Sequence, residues 1–183
     1  QQPPDEVRRE YLKKEMEIVG TISDSLKFAG QYQNMGLSPP GWQNAHHAFL
    51  YGISHLNLSG FRRTISIDGL ELFADPMLEN VFFTLTENVV MYAKAADEIS
   101  LTFSEGPEGL ILVFSDNGPG IPSGIKEKIF ERHYENKRGI GLFLAREILS
   151  ITGITIHETG NPGTGARFEI RVPKGGYRFV RTR

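Results

Sequence analysis

Cysteine is absent from the chain, which excludes a disulfide frame and thiolate chemistry and fits a reducing compartment. No apolar run approaches the roughly 20 residues that a membrane-crossing helix needs. No secretory signal pattern opens the chain either. Neither sign of charge dominates: 20 Lys and Arg face 22 Asp and Glu, for a net charge of −2. That gives no electrostatic reason to expect nucleic acid as a partner. The closing KGGYRFVRTR is locally basic and reads as a solvated tail. Internal repeats and low-complexity tracts are missing as well. The opening QQPPDE looks like a cut made inside something longer. The expectation is therefore a soluble, cytoplasmic piece without membrane contact of its own, whose parent carries any anchor.

What is present suits one domain with an appended element, since 183 residues can bury one sizeable core. In residues 4–35, Leu12, Met16, Val19, Ile22, Leu26 and Ala29 recur at steps of three and four. That is a single apolar stripe on a long, charged helix, and such a stripe needs a partner from this chain or a second copy. GLSPPGW (36–42) then breaks the helix, placing a boundary between 1–36 and 37–183. Trp42, Ala45, Phe49, Ile53 and Leu56 suggest a second, shorter helix. TISID (64–68) and LELFAD (70–75) alternate like strands around Gly69. Asp75-Pro76 reads as a helix start, with the helix running to about Ala95. EISLTF (98–103) and GLILVFS (109–115) form a hairpin, followed by a short helix near 123–130. A helix over 140–153 ends at glycine, and ITIHE and GARFEIRV add two strands. The mixture predicts an α+β fold, a two-layer α/β sandwich with a mixed, mostly antiparallel sheet, preceded by one long helix.

Chemistry concentrates at four places. Leu78, Val81, Leu85, Asn88 and Tyr92 form the core stripe of the helix after Asp75, with an amide in its midst. Burying an unpartnered amide costs about 1–3 kcal/mol. Asn88 is therefore either bonded within the core or borders a pocket, where it can meet a hydrated cation. SDNGPGIP (115–122) puts a carboxylate at a strand end before two glycines. It reads equally as an Asx turn or as a loop whose backbone approaches a flat ligand. RGIGL (138–142) opens a helix, where orphan N–H groups favour anions. GTGARF (163–168) is a turn entering a strand. Each is weak alone.

Taken together and in this order, the four places resemble the ATP-binding domain of sensor histidine kinases, in the wider family shared with DNA gyrase and the mismatch-repair ATPases (the Bergerat-type ATP-binding fold). The likeness covers nearly everything from Trp42 to Pro173. ENVFFTLTENVVMYA resembles the asparagine box, DNGPGI the first glycine box and IFERHY (129–134) the phenylalanine box. GIGLFLAREI resembles the second glycine box and GTGARFEIRVP the last. The short lid, the SPPGWQ linker and FLAREILSITGITI look similar to multi-sensor kinases of methanogenic archaea.

The resemblance implies ATP and Mg²⁺ as ligands. Asn88 would hold Mg²⁺, Asp116 would receive the adenine amino group, and Gly118 and Gly120 would form the wall beside the base. Tyr92 would pack on adenine. Gly139 and Gly141 would let the lid pivot, with amides near Leu142 facing phosphate. Lys137 and Arg138 would reach the γ-phosphate, Thr164 the adenine side, and Phe130 would anchor the lid. Thr84 and Met91 depart from the family, which usually has asparagine and a basic residue there. Hydrolytic relatives carry a glutamate at the position of Thr84, and a hydroxyl is no general base at neutral pH. Glu87 points elsewhere on the helix, so efficient hydrolysis is not expected. The first helix looks like the second helix of a dimerisation hairpin but contains no histidine. His46, His47, His55, His133 and His157 all lie in the nucleotide domain. No catalytic phosphoacceptor is therefore expected in the chain. The implied partners are a response regulator, the protein's own phosphoacceptor helix and a second copy in the full-length protein. A degenerate nucleotide-binding or scaffold module, or a serine kinase of the same fold, remain as alternatives.

Overall fold

A computed structural model describes residues 5–132 and 140–180. The chain opens on α1 (Asp5–Asn34), which at 1.5 Å per residue is about 45 Å long. Then come β1 (Gly41–Asn44), α2 (Ala45–Ile53), β2 (Arg62–Ser66), β3 (Leu70–Ala74) and α3 (Leu78–Tyr92). The hairpin β4 (Glu98–Gly106) and β5 (Gly109–Asp116) follows, then α4 (Ile140–Ser150), β6 (Thr155–Glu158), β7 (Arg167–Pro173) and β8 (Tyr177–Phe179). Five strands form one mixed sheet in the order β2-β4-β5-β7-β6, parallel at β2/β4 and antiparallel elsewhere. A second sheet, β1-β3-β8, is antiparallel throughout.

Period-two alternation decides which side of the large sheet is dry. Ile99, Leu101, Leu110, Leu112, Phe114, Phe168 and Ile170 are buried. The residues between them, including Ser100, Ser115 and Glu169, turn to the open face. Against the buried face lie α3, through Leu78, Val81, Phe82, Leu85 and Val89, and α4, through Leu142, Leu144, Ala145, Ile148 and Leu149. The α2–α3 contact is close at Gly52, where a Cβ would sit 2.5 Å from the Glu79 carbonyl oxygen.

Several elements differ from the sequence reading, each for a local reason. Trp42 lies in β1, not in a helix; α2 begins only at Ala45, where Asn44 Oδ1 accepts from His47 N. The strands on either side of Gly69 do not pair: β2 joins the large sheet and β3 the small one. Asp75 does not cap α3 directly. Its Oδ1 accepts from Met77 N and its Oδ2 from Gly36 N, tying the exit of α1 to the start of α3. Two 3₁₀ turns, Ser123–Ile125 and Lys128–Phe130, replace the short helix. Residues 177–179 of the basic tail form β8 because β3 offers them an open edge. Tyr11, Leu12, Met16, Val19, Ile22 and Leu26 on α1 are all exposed.

Candidate functional site

The hairpin delivers Asp116 at the last position of β5, half-buried and pinned by the loop it begins. Its Oδ1 accepts from Gly118 N at 2.8 Å and from Ala166 N at 3.4 Å. Its own N–H donates to the Ala166 carbonyl at 3.1 Å. Its Oδ2 takes no hydrogen bond among the described residues. Burial pushes the Asp116 carboxyl up; the Gly118 and Ala166 amides pull it down, and the charge of Glu158 adds to the rise. Asn117 staples the loop to the start of β4, its Oδ1 accepting from Asp97 N and Glu98 N.

Glycines let this loop meet the turn before β7 backbone to backbone. Gly165, at φ 102°, leaves its Cα so close to the Asp116 carbonyl that no Cβ fits. Gly120, at φ 71°, would place a Cβ 2.9 Å from the Asn161 and Gly165 carbonyl oxygens. Gly163 N donates to the Pro119 carbonyl at 2.7 Å. The Asx turn and the ligand loop of the sequence reading are thus one object: the Asp116–Gly118 bond is the turn, and the turn shapes a cavity.

That cavity, about 230 Å³, is lined by Leu85, Asn88, Val89 and Tyr92 of α3, by Asp116, and by Pro119, Gly120, Ile121 and Pro122. Ala93, Ile125, Ile129, Leu142, Ala166 and Phe168 complete it. The polar residues among these are Asp116, Asn88 and Tyr92; the rest of the lining is apolar or glycine. Asn88 Nδ2 is buried without a hydrogen-bond partner. Because amide N and O are interchangeable in placement, the group is open to an outside ligand through either atom. Among the described residues no cluster of three His, Asp or Glu could hold a metal. A cation bound here would therefore draw most of its ligands from water or a phosphate, which suits Mg²⁺ and one amide.

Of the residues expected at the site, Asn88, Tyr92, Asp116, Gly120 and Leu142 line the one cavity. Gly118 stands behind it, with room for no Cβ against that of Ala93, 2.7 Å away. Gly141 abuts the Thr84 methyl, where a Cβ would come within 3.0 Å. Thr164 is exposed and is not among the residues that line the cavity; its hydroxyl donates to the Asn161 carbonyl at 2.9 Å. Lys137, Arg138, Gly139 and His133 lie outside the described residues. Phe130 is buried against Phe168, with Arg146 stacked 4.2 Å above its ring. The apolar wall Ile121, Ile125 and Ile129 went unread, although its four-residue spacing was a signal.

The family model described as "Histidine kinase-, DNA gyrase B-, and HSP90-like ATPase" matches residues 74–176. Sensor protein KdpD of Escherichia coli (strain K12) is 34% identical over 117 residues, covering 60% of this chain and 12% of its own. The chain spans between 12% and 29% of the length of eight such curated relatives. Among solved structures, the ATP binding domain of PrrB from Mycobacterium tuberculosis superposes at a TM-score of 0.60 and 19% identity, over 74% of this chain and 98% of that one. Full-length ShkA, solved in complex with AMPPNP, gives 0.68 at 18% identity, over 95% of this chain and 40% of that one.

Proposed function

The chain belongs to the histidine kinase-, DNA gyrase B- and HSP90-like ATPase family, and from that premise we propose that it is the ATP-binding catalytic domain of a two-component sensor histidine kinase. Residues 37–183 would form that domain, and 1–36 the second helix of a dimerisation hairpin. The observation that carries the reading is the cavity, whose lining is apolar or glycine apart from Asp116, Asn88 and Tyr92. Asp116 Oδ2 is left to accept from an exocyclic amine, while Leu85, Val89, Ile121 and Ile129 cover the faces of a flat ring. Asn88 would hold Mg²⁺ and Tyr92 would border the base. Lys137, Arg138, Gly139 and Gly141 are proposed as the phosphate-side group on the resemblance alone.

Mg·ATP supplies the phosphoryl group for transfer to an imidazole. The chain's residues contribute binding, orientation and charge neutralisation, which carry most of the catalysis in such transfers. No histidine occurs in α1, so the accepting imidazole is assigned to another helix of the full-length protein. A response regulator would then receive the phosphoryl group, and a second copy would pair through α1. Among the described residues no helix is long and apolar enough to cross a membrane; any anchor is assigned to the parent.

Titration with a fluorescent ATP analogue, with and without Mg²⁺, tests the reading directly. Saturable binding that Asp116→Asn abolishes supports it. Absence of binding would favour the scaffold alternative, to which Thr84 and Met91 point. Incubating the chain with a histidine-bearing helix and labelled ATP then tells histidine transfer from serine transfer by the acid lability of the product.

A further inference from the structure

Two side chains of opposite sign outside every glycine motif form a pair, one of them next in sequence to a residue that lines the cavity. Glu158, at the end of β6, has a fully buried side chain. Its Oε1 accepts from Gly160 N at 3.0 Å and Arg167 N at 3.1 Å. Its Oε2 lies 2.9 Å from Lys126 Nζ, as an ion pair without hydrogen-bond geometry. Lys126 Nζ in turn donates to the Gly160 carbonyl. The lysine follows Ile125 directly and precedes Ile129, both of which line the cavity. It thus ties one apolar wall to the turn that Gly120, Gly163 and Gly165 fit against the Asp116 loop.

We propose that Lys126 and Glu158 are positioning residues: their ion pair latches the wall at 121–129 onto the turn at 158–166 and so holds the cavity at the width of its ligand. The nucleotide part of this inference rests on the ATP reading above. A buried ion pair is seldom more stabilising than two apolar side chains of the same volume, because desolvation cancels most of the attraction. What it supplies is a fixed geometry, here between two segments that lack any shared strand pairing. The pair also touches the chemistry of the site. Glu158, at the end of β6, acts on Asp116 through its charge, Lys126 is paired with Glu158, and Tyr92 borders the cavity from α3. Arg167 on β7 turns away, to Thr159 Oγ1 at 2.7 Å and to Glu169. The Glu158 charge raises the Asp116 carboxyl, and Lys126 offsets that charge.

Opposite signs follow for the two partners, which a purely structural role would not produce. Glu158→Gln removes the negative neighbour, so the acid limb of ATP-analogue binding moves to lower pH. Lys126→Met uncovers that neighbour, so the limb moves to higher pH. Each lowers affinity at neutral pH about fivefold to tenfold, and Lys126→Arg restores most of it. Amide hydrogen exchange in the unliganded protein reads the latch without nucleotide. Residues 121–130 and 160–167 should exchange faster in Lys126→Met and Glu158→Gln, while α2 keeps its wild-type rate. Unchanged exchange in both variants, or pH limbs that move together, would overturn the latch. Failure of the wild-type chain to bind the analogue, with exchange still responding, would overturn the ATP reading and leave the latch standing. If Lys126→Met does not fold, the nearly isosteric Glu158→Gln carries both measurements.

Discussion

Asp116 divides its two oxygens between the loop and the cavity, and that division makes its protonation measurable. Burial holds its carboxyl above the ordinary Asp value of about 3.9. A folded-state pKa raised above the unfolded one gives stability that is present below the unfolded value and lost as pH rises through the folded value. At neutral pH the ionised group therefore burdens the unliganded fold. Asp116→Asn should leave the melting temperature unchanged or higher, since its Oδ1 still accepts from Gly118 and Ala166. Analogue affinity should fall at least tenfold, a difference of about 1.4 kcal/mol. In the wild-type chain, binding should decline on acidification with a midpoint above 3.9. Asn88→Ala makes a separate prediction. It removes an amide whose Nδ2 has no partner, so folding should tolerate it, while the gain in analogue affinity on adding Mg²⁺ should disappear. Calorimetric melting and paired titrations check both variants.

Among the helices, the α2–α3 contact is exacting. Gly52→Ala gains up to about 1 kcal/mol in helix propensity but forces a methyl against the Glu79 carbonyl. Overpacking of this kind costs about 1–3 kcal/mol, which cancels or exceeds that gain, so the melting temperature should not rise and should fall by up to about 8 °C for a net loss of about 2 kcal/mol. Phe130→Ala should cost about 3–5 kcal/mol, because Phe168 and Arg146 both lose their packing partner. On the open face of β7, Glu169 bridges Arg167 and Arg171, whose hydrogen bonds pull its carboxyl down. A lowered folded pKa gives stability present above the unfolded value of about 4.3 and lost as pH falls through the folded one. Solvent reaches both arginines, which keeps the effect of Glu169→Gln under about 1 kcal/mol. Its difference from wild type should vanish in acid-titrated melts.

This level also shows what sequence can reveal. The hairpin β4–β5 and helices α3 and α4 were legible because their periodicity is set by one buried face each. β1 was hidden because Trp42, Ala45, Phe49 and Ile53 happen to keep helical spacing across an element boundary. β8 was hidden because a polar, glycine-flanked segment becomes a strand only when an edge such as β3 receives it. At the site, Asp116 and Asn88 announced themselves by interrupting apolar patterns. Thr164 gave no such signal, because a hydroxyl in a glycine turn can face either way. The Lys126–Glu158 pair, 32 positions apart, leaves no periodic trace at all.

At the scale of the whole chain, α1 and the α/β domain have separable tasks. Lining of the cavity comes from α3 onward, whereas the stripe from Tyr11 to Leu26 stays exposed. A chain of residues 37–183 should still bind the ATP analogue, since among the described residues α1 contributes none to the cavity. The full chain should sediment as a dimer and 37–183 as a monomer; equal sedimentation would remove α1 as the pairing element. The close fit of Gly118, Gly120 and Gly165, which leaves no room for a Cβ, has another consequence, for competitive inhibitors. A compound that fills this cavity could not be escaped by changing those glycines, because any side chain there collides with the fold before it reaches the compound. Resistance would have to arise at lining residues that carry side chains, Ile121, Ile125, Ile129 and Leu142 among them. An inhibitor resting on the Asp116 loop and keeping clear of those four would leave the protein few ways out.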